Sequence, residues 1–309
     1  MRAILVGAVE STRVALHALA AAPAWTLAAL VTLPPELSRR HSDFVDLGGE
    51  ARAAGGELVH AANCNDAAIL SRLRAMTPDV ILVIGWSQLC GADFRAVAPL
   101  GVVGYHPAPL PRLRGRGVIP WTILLDEPIT AGSLFRIDAG TDSGPILAQQ
   151  FFHVAPDETA ATLYDKHMRA LAAMLPPLLD RIAAGDATGA EQDERYATWA
   201  ARRRPEDAEI DWHDDVDTIA RLVRACGEPY PGARTTVAAQ RLTILAAASI
   251  HDGAHRAALP GQVVARDAES FTVRTGDGHG LRVTRWQCDR DGPPPLHARL
   301  GSAGRGNAA

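Results

Sequence analysis

Two loops of the sequence carry side chains suited to acid–base chemistry. His106 lies in GYHPAPLPRLRGRG, residues 104–117, where proline and glycine are too frequent for a helix or a strand. Asp142 lies in AGSLFRIDAGTDSGPILAQQ, residues 131–150, which alternates apolar and polar residues before it breaks into a loop. Imidazole exchanges protons near neutral pH, and a nearby carboxylate can orient it and order a water. Both residues are candidates for proton transfer, the alternative being that His106 caps a turn and Asp142 accepts backbone N–H bonds.

The residues before these loops alternate between predicted strands and helices. Three strands are predicted from apolar runs: RAILVG at 2–7, WTLAALVT at 25–32 and DVILVIGW at 79–86. Three helices are predicted between them: STRVALHALAA at 11–21 with Ser11 as N-cap, DFVDLGGEARAAG at 43–55, and NDAAILSRLRAMTP at 65–78. This alternation predicts an α/β fold, a parallel sheet with helices on both faces. Ligands bind such sheets at the carboxyl ends of the strands, so residues 85–90 and 104–117 are expected to line one crevice.

The second half of the chain differs from the first in its composition and in its predicted secondary structure. A helix is predicted over 158–185, and the polar segment after it reads as a linker. Beyond the linker, a helix at 217–227 and short strands separated by turns such as Gly276-Asp277-Gly278 predict a small β-rich domain. The predicted organisation is a catalytic domain at 1–190, a linker at 191–205, a C-terminal domain at 206–288 and a flexible tail at 289–309.

Composition narrows the class of protein. The 309 residues are 47% hydrophobic and 21% charged, which suits a chain of about two folded domains. The four cysteines are far apart, so neither a disulfide framework nor a zinc ribbon is indicated. The first apolar run is too short for a signal peptide or a membrane span. Together with the cysteine pattern, this predicts a soluble cytoplasmic protein with no membrane partner. The net charge of −4 predicts no DNA partner.

Metal and dinucleotide motifs are weak. His251 and His255 have the i, i+4 spacing of metal ligands, but Gly253 separates them and no third ligand is evident. The GAVES segment after the first strand is not a G-x-G-x-x-G motif. No metal and no nicotinamide cofactor are therefore expected.

Two motifs carry a resemblance to a known family. The run His106-Pro-Ala-Pro-Leu-Pro111 with Gly115, followed by DAGTDSGPIL around Asp142, resembles the signature of enzymes that transfer a formyl group from 10-formyltetrahydrofolate to an amine. PEDAEIDW, IARLVRA and PYPGA are similar to the start of the C-terminal domain of methionyl-tRNA formyltransferases. The resemblance runs from residue 1 to about 285 and implies a Rossmann-like catalytic domain, an OB-fold-like second domain and 10-formyltetrahydrofolate as co-substrate.

The resemblance also implies roles for individual residues. His106 and Asp142 would be the catalytic pair. The pterin ring would rest on backbone groups of two segments, comprising Gln88, Leu89 and Cys90 in the first, and Ile137, Asp138, Ala139 and Gly140, up to Asp142, in the second.

One position departs from the family pattern. The family usually reads Asn-x-His, where the asparagine donates to the formyl oxygen, and this chain has Gly104 there. Losing such a donor typically costs a few kcal/mol in the transition state. Gln88, Ser87 and Arg116 are candidate replacements. Otherwise the glycine admits a bulkier group or a water, which favours a formyl hydrolase or a folate-binding relative without transfer.

The acceptor amine is predicted from the loop that follows His106. RGRGVIPW, residues 114–121, resembles the R-G-R-x-x-x-P-W loop of sugar N-formyltransferases, whose substrates are nucleotide-linked amino sugars. In that interpretation an arginine pair of this loop, Arg116 included, binds the diphosphate, and Trp121 stacks on a base or a sugar. The alternative is that the arginines are a solvated surface and Trp121 is a core residue.

A tRNA acceptor is disfavoured by charge. Methionyl-tRNA formyltransferases commonly have a small residue at the place of Arg116 and a basic loop in the first domain, whereas LPPELSRRHSDFVDLGG at 33–49 has only Arg39 and Arg40. Residues 206–309 contain twelve arginines and no lysine against fourteen acidic residues. The predicted partner is a small-molecule amine, and the sequence leaves the oligomeric state, a homodimer included, open.

Overall fold

The computed structural model describes residues 1–40, 43–251, 257–289 and 292–301. The chain divides into two units. The first contains Met1–Val118, Ile129–Val154 and Tyr164–Ala201, and the second contains Ile119–Pro128, Ala155–Leu163 and the described residues from Arg202 onward. The first unit thus continues to Ala201, through most of the segment predicted as a linker.

A seven-stranded sheet with the order β3-β2-β1-β4-β5-β7-β8 forms the centre of the first unit. The strands of the first unit are β1 (Arg2–Val6), β2 (Thr26–Thr32), β3 (Glu57–His60), β4 (Val80–Val83), β5 (Val102–His106), β6 (Arg114–Gly115), β7 (Ile129–Arg136), β8 (Ile146–His153) and β9 (Trp199–Ala200). Strands β1 to β5 are parallel, which confirms the prediction for β1, β2 and β4 and adds β3, which was not predicted. Strand β7 is antiparallel to both β5 and β8. The sheet is therefore mixed. The antiparallel pairing of β7 with β8 follows from their connection, because residues 137–145 are too few for the crossover helix that parallel pairing requires.

The helices lie at α1 (Glu10–Ala21), α2 (Gly48–Ala53), α3 (Ala67–Ala75), α4 (Ala92–Arg95), α5 (Val118–Leu124), α6 (Ala160–Ala183) and α7 (Val216–Cys226). The prediction of Ser11 as N-cap is wrong, since α1 begins at Glu10 with Val9 as its N-cap. The hydroxyl of Thr12 accepts from Val9 N at 3.2 Å and donates to the Ile84 carbonyl at 2.7 Å, so the start of the helix is tied to the sheet.

The predicted helix at 43–55 is shorter in the structure. Phe44 forms an isolated β-bridge with Val9, and the Asp46 carboxylate accepts from Gly48 N at 2.9 Å. These contacts hold the first residues of the segment in an extended and then a turn conformation, so only Gly48–Ala53 is helical.

Apolar cores lie on both faces of the sheet, as the apolar strands predict. One contains α1 and α6, with Leu16, Leu171 and Leu175 packed among strand residues such as Leu5 and Val103. The other contains Ile4, Val31, Ile81 and Phe94 beside α3 and α4. Burial on both faces explains why these strands lack alternation, and it confirms helices on both sides.

The second unit contains a five-stranded antiparallel sheet with the order β10-β11-β14-β13-β12. Its strands are β10 (Ala233–Val237), β11 (Gln240–Ile250), β12 (Val263–Arg266), β13 (Phe271–Arg274) and β14 (Gly280–Cys288). Helix α7 packs Ile219 and Val223 onto Ile244 and Phe271 of this sheet, which gives the unit a core of its own. The predicted β-rich domain is confirmed.

A flexible tail is predicted at 289–309, and the structure describes residues 292–301 of it as ordered. Arg299 forms a β-bridge with Gln262, Leu300 forms one with Val237, and the Leu300 side chain is buried. Over these residues the structure differs from a flexible tail, because burial of Leu300 in the core of the second unit orders the backbone. None of the helices in the described ranges is both long and apolar enough to cross a membrane.

Candidate active site

The prediction that His106 lies on a loop is wrong, since it is the last residue of β5, at the carboxyl end of the parallel strands, and the Pro-rich loop begins after it. Its side chain is buried. The Nε2 atom lies 2.7 Å from the carbonyl oxygen of Leu113. Because a carbonyl only accepts, this contact places a proton on Nε2. Nδ1 lies 3.6 Å from Oδ2 of Asp142, which is within ion-pair range but beyond a hydrogen bond. The nitrogen that can gain or lose a proton is therefore Nδ1.

Asp142 is held by its own backbone and by the loop after His106. Its φ of 52° lies in the left-handed region, which aspartate tolerates better than most residues. Its Oδ2 accepts a hydrogen bond from Gly115 N at 2.8 Å. The carboxylate oxygen that faces His106 is thereby fixed in place.

The loop between His106 and Leu113 is attached to the two antiparallel strands. Ser133 on β7 donates through Oγ to the Ala108 carbonyl at 2.7 Å. The amide of Gln149 on β8 donates to Ser133 Oγ at 2.8 Å and to the Leu110 carbonyl at 2.9 Å. The sheet therefore fixes the loop that carries the Leu113 carbonyl.

Arg114 is buried behind Asp142. Its guanidinium donates to both carboxylate oxygens of Glu194, at 2.9 and 2.6 Å, and to Oε1 of Gln192 at 3.2 and 2.8 Å. The Gln192 amide in turn donates to the carbonyls of Asp142 at 2.8 Å and Gly144 at 2.7 Å. Arg114 is thus committed inside the protein, and the prediction of a solvated or ligand-binding arginine pair does not apply to it.

The short strands β6 and β9 pair in parallel, Arg114 with Trp199 and Gly115 with Ala200. Gly115 has a φ of 105°, and a Cβ there would lie 2.6 Å from the Ala200 carbonyl oxygen. Only glycine fits this position, where its N–H reaches Asp142. Sequence reasoning missed Gln192, Glu194 and β9, because polar residues in a linker-like segment carry no spacing signal.

A cavity of about 150 Å³ lies beside these residues. Its volume is below the roughly 300–1,000 Å³ of pockets for whole drug-sized ligands and suits a single ring system. All seven residues predicted to contact the pterin line this cavity. The complete lining is Val83, Trp86, Gln88, Leu89, Cys90, Gly104, Tyr105, Phe135, Ile137, Asp138, Ala139, Gly140, Thr141 and Asp142. The structure therefore brings the two predicted segments together next to Asp142.

The two cavity segments are held by side chains around them. The Gln88 amide donates to the Ala62 carbonyl at 2.8 Å, and its Oε1 accepts from Cys64 N at 3.2 Å. These bonds fix the orientation of Gln88 and use one of the two N–H groups of its amide. A hydrogen bond with Cys64, together with burial, raises the pKa of Cys90, so Cys90 forms an uncharged part of the wall.

Gly104 on β5 faces two other residues of the cavity. A Cβ at this position would lie 2.8 Å from Cε1 of Phe135 and 3.0 Å from Cγ1 of Ile137. The rings and methylenes of these neighbours fill the space that a side chain at 104 would take. The glycine is thus explained by close packing against β7 and the residue after it.

Tyr105 and His167 form a buried pair on the other side of β5. Tyr105 Oη lies 3.2 Å from His167 Nδ1 and donates to the His167 carbonyl at 3.0 Å. Burial, with a smaller contribution from His106, lowers the pKa of His167 to about 3, so this histidine is neutral. Burial also raises the pKa of Tyr105. Sequence reasoning missed this pair, since a histidine within a long helix resembles a surface residue.

Arg116 and Trp121, predicted to bind the acceptor, belong to different units. Arg116 is exposed, and its backbone N–H donates to the Ala200 carbonyl at 3.3 Å. Trp121 is half-buried, and the guanidinium of Arg203 lies 5.6 Å from its ring centroid. A ligand that stacks on Trp121 would share the ring with Arg203.

The predicted absence of a metal rests on residues that are only partly described. His255 lies outside the described residues, and His251 contacts Asp217, with 3.3 Å between Nε2 and Oδ1. In the part of the chain that the structure describes, no three His, Cys, Asp or Glu side chains are grouped as a metal site.

Comparison with known families is consistent with this arrangement. Residues 35–179 match the model of the formyl transferase family, and residues 203–293 match the model of the formyl transferase C-terminal domain. The chain belongs to the formyl transferase family. The first match contains His106 and Asp142, and the second contains α7 and the five-stranded sheet.

Solved structures with this fold include three of different description. HypX from Aquifex aeolicus in complex with tetrahydrofolic acid is 19% identical, with a TM-score of 0.65 over 95% of this chain and 46% of that chain. An N-formyltransferase from Helicobacter canadensis, in complex with folinic acid and dTDP-3-aminofucose, is 14% identical, with a TM-score of 0.67 over 91% and 98%. Methionyl-tRNA formyltransferase from Clostridium thermocellum is 19% identical, with a TM-score of 0.57 over 80% and 93%. The present chain spans about half the length of HypX. At these sequence identities the similarity to all three structures is one of fold.

Proposed function

We propose that this protein is an N-formyltransferase that moves a formyl group from 10-formyltetrahydrofolate to the amine of a small acceptor. The observation that carries the proposal is the pairing of His106 with Asp142 at 3.6 Å, beside a cavity sized for one ring system. The apolar wall of Phe135 and Ile137 and the backbone groups of Gln88–Cys90 and Asp138–Gly140 suit a flat, polar-edged ring.

The residues match the proton balance of the reaction. The acceptor nitrogen attacks the formyl carbon, a new C–N bond forms, and the bond from that carbon to the folate nitrogen breaks. One proton leaves the amine and one reaches the folate nitrogen. In the proposal His106 Nδ1 takes the proton of the amine while Nε2–H stays on the Leu113 carbonyl, and the Asp142 carboxylate stabilises the imidazolium that forms. The imidazolium then returns this proton to the folate nitrogen as the bond from that nitrogen to the formyl carbon breaks.

The acceptor we propose is a nucleotide-linked amino sugar. The relative from Helicobacter canadensis is described with dTDP-3-aminofucose, and the loop after His106 resembles that of sugar N-formyltransferases. Arg116 is exposed at the end of this loop, where a guanidinium can bind phosphate oxygens. The net charge of −4 supports a small acceptor over tRNA.

The test is an acceptor assay with 10-formyltetrahydrofolate. The purified protein is incubated with a dTDP-linked 3-amino sugar in one reaction and with charged initiator tRNA in another, and the products are identified by mass spectrometry. We expect a mass gain of one formyl group on the sugar nucleotide and none on the tRNA. Formylation of the tRNA alone, with a steep dependence on salt, would reject the sugar acceptor and keep the transfer reaction.

Formyl hydrolysis is a second candidate, because Gly104 stands where the family usually has the asparagine that takes part in transfer. No side chain at 104 can donate a hydrogen bond to the formyl oxygen. A water in place of the amine would release formate from 10-formyltetrahydrofolate. Formate release at the same rate with and without any amine would support the hydrolase and reject the transferase.

A further inference from the structure

A second cavity lies within the second unit, away from the residues discussed above. Its volume is about 480 Å³, within the roughly 300–1,000 Å³ range of small-molecule sites. It is bounded by the C-terminal end of α7, by β11 and by residues 156–161. All of its lining residues belong to one unit, so its shape is a property of that unit.

Arg224, near the end of α7, lines this cavity with an unused donor. Its Nε atom is buried and has no hydrogen-bond partner among the described residues. The guanidinium makes no ion pair with a described carboxylate, whereas Arg221, one turn earlier, pairs with Asp126 at 3.3 Å. A buried donor without a partner carries a desolvation cost of about 1–3 kcal/mol, so Arg224 is a position where a bound acceptor would be stabilised.

The floor of the cavity is an irregular part of β11. The pairing of β11 with β14 shifts between Ile244 and Ala246 and again between Ala246 and Ala247. In a regular strand alternate residues share a face, but here Leu245 to Ser249 all line the cavity. Bulges of this kind occur where a strand turns its side chains toward a site, and the three alanines leave room above the strand.

The other charges around the cavity do not satisfy Arg224. Arg285 pairs with Glu228 at 3.7 Å, and both are exposed at the rim. Asp157 lines the cavity, is exposed, and affects Arg224 through space without forming an ion pair. Burial lowers the pKa of Arg224, in keeping with a guanidinium that has lost water and gained no counterion.

We propose that this cavity binds a small molecule through an oxyanion, a carboxylate or a phosphate, held by Arg224. A guanidinium binds an oxyanion through two of its N–H groups together, and Arg224 lines the cavity without a carboxylate partner among the described residues. The rest of the ligand lies over Ala246 and Ala248, with the exposed carboxylate of Asp157 as an acceptor for its hydroxyl or amine groups.

The test is isothermal titration of the full chain at constant ionic strength, with inorganic phosphate in one arm and malonate in the other. We expect millimolar binding in at least one arm, which distinguishes a phosphate from a carboxylate site. Arg224→Gln removes the donor and should weaken binding at least tenfold. Ala246→Phe fills the cavity from its floor and should do the same while Arg224 stays intact.

A control variant separates this site from other cationic surfaces. Arg241→Gln changes an exposed arginine of β11 that does not line the cavity, and it should bind the anion as the parent does. Absence of binding in both arms, or equal binding by the parent, Arg224→Gln and Ala246→Phe with unchanged melting temperatures, would overturn the proposal.

Discussion

The imidazole of His106 has a hydrogen-bond acceptor beside each ring nitrogen. The Leu113 carbonyl occupies Nε2, and the Asp142 carboxylate faces Nδ1 at 3.6 Å. In the proposed reaction the carboxylate lies beside the nitrogen that takes the proton of the attacking amine, so the new positive charge forms next to a negative one.

We expect His106→Gln to lower kcat for formyl transfer by 10²–10⁴-fold, because the base is lost while an amide can still donate to Leu113. Steady-state kinetics with the sugar nucleotide would measure it. His153→Gln, at an exposed histidine on β8, is the matched control and should keep parental kcat. A His106→Gln enzyme with full turnover would remove the catalytic assignment.

We expect Asp142→Asn to lower kcat by about 10–100-fold with little change in KM for the folate. The asparagine oxygen can still accept from Gly115 N, so the loop keeps its place while the charge opposite Nδ1 is removed. We also expect the dependence of kcat on pH to differ between Asp142→Asn and the parent. A change in KM alone would show that Asp142 acts in binding.

Gly104→Asn should reduce activity, although it restores the usual family residue. Its Cβ would lie 2.8 Å from the Phe135 ring, so Phe135 and Ile137 would have to move into the cavity. We expect kcat/KM for the folate to fall at least tenfold. Adding Phe135→Leu makes room and should recover part of the loss. A single variant faster than the parent would mean that the pocket accepts the amide donor.

At the scale of elements, the sequence predicts which strands form but not how each is paired. β1, β2 and β4 are apolar runs because both faces of the sheet are covered, and that signal is local. The antiparallel pairing of β7 and β8 depends on partners that the local pattern does not specify. The same holds for the site. The Pro- and Gly-rich loop after His106 can be recognised in the sequence, whereas Gln192, which binds the Asp142 carbonyl, lies 50 positions further along the chain.

Gln192 is a positioning residue that links the Asp142 loop to Arg114. Gln192→Leu keeps the volume but removes the hydrogen bonds to Arg114, Asp142 and Gly144. We expect kcat to fall about tenfold with KM nearly unchanged, and the melting temperature to drop, because buried polar groups lose their partners. The control is Gln150→Leu, the same substitution at an exposed glutamine on β8. A drop in stability with unchanged kcat would restrict Gln192 to a structural role.

His167 on α6 should make the fold sensitive to acid. Its pKa is about 3 in the folded protein against 6.5 for a free histidine side chain, so the unfolded chain binds the extra proton as the pH falls below about 6.5. Because of His167 alone, we expect the free energy of unfolding to fall by about 2–3 kcal/mol between pH 7 and 4.5. Urea titrations of His167→Gln should show a shallower decline than the parent or His153→Gln. Parallel declines would contradict the burial of a neutral His167.

At the scale of the whole molecule, two units have separate apolar cores and separate cavities. The sequence predicts a two-domain chain from the change in texture after Gly185, and the second family match begins at residue 203. The small contributions of 119–128 and 155–163 to the second unit are not predictable from the sequence, because they are set by tertiary contacts and not by composition.

Folinic acid, a folate that carries its formyl group at another nitrogen, should protect only the first unit. Hydrogen exchange read by mass spectrometry on the full chain should slow in peptides that cover 83–90 and 135–142 and stay unchanged over 216–288. Phosphate or malonate should give the opposite pattern. If folinic acid protected only residues 216–288, the folate would bind in the second unit, and the proposed folate site beside Asp142 would be wrong.

The parallel pairing of β6 with β9 has a consequence for the order in which the protein matures on the ribosome. A nascent chain that has emerged as far as Ala183 already contains His106, Asp142 and every strand of the seven-stranded sheet. It still lacks Gln192, Glu194 and Ala200, the residues that fix Arg114 and Gly115 behind the carboxylate. The scaffold can therefore fold during synthesis before its catalytic geometry exists, and translation of the last residues of the first unit converts a folded sheet into a competent site.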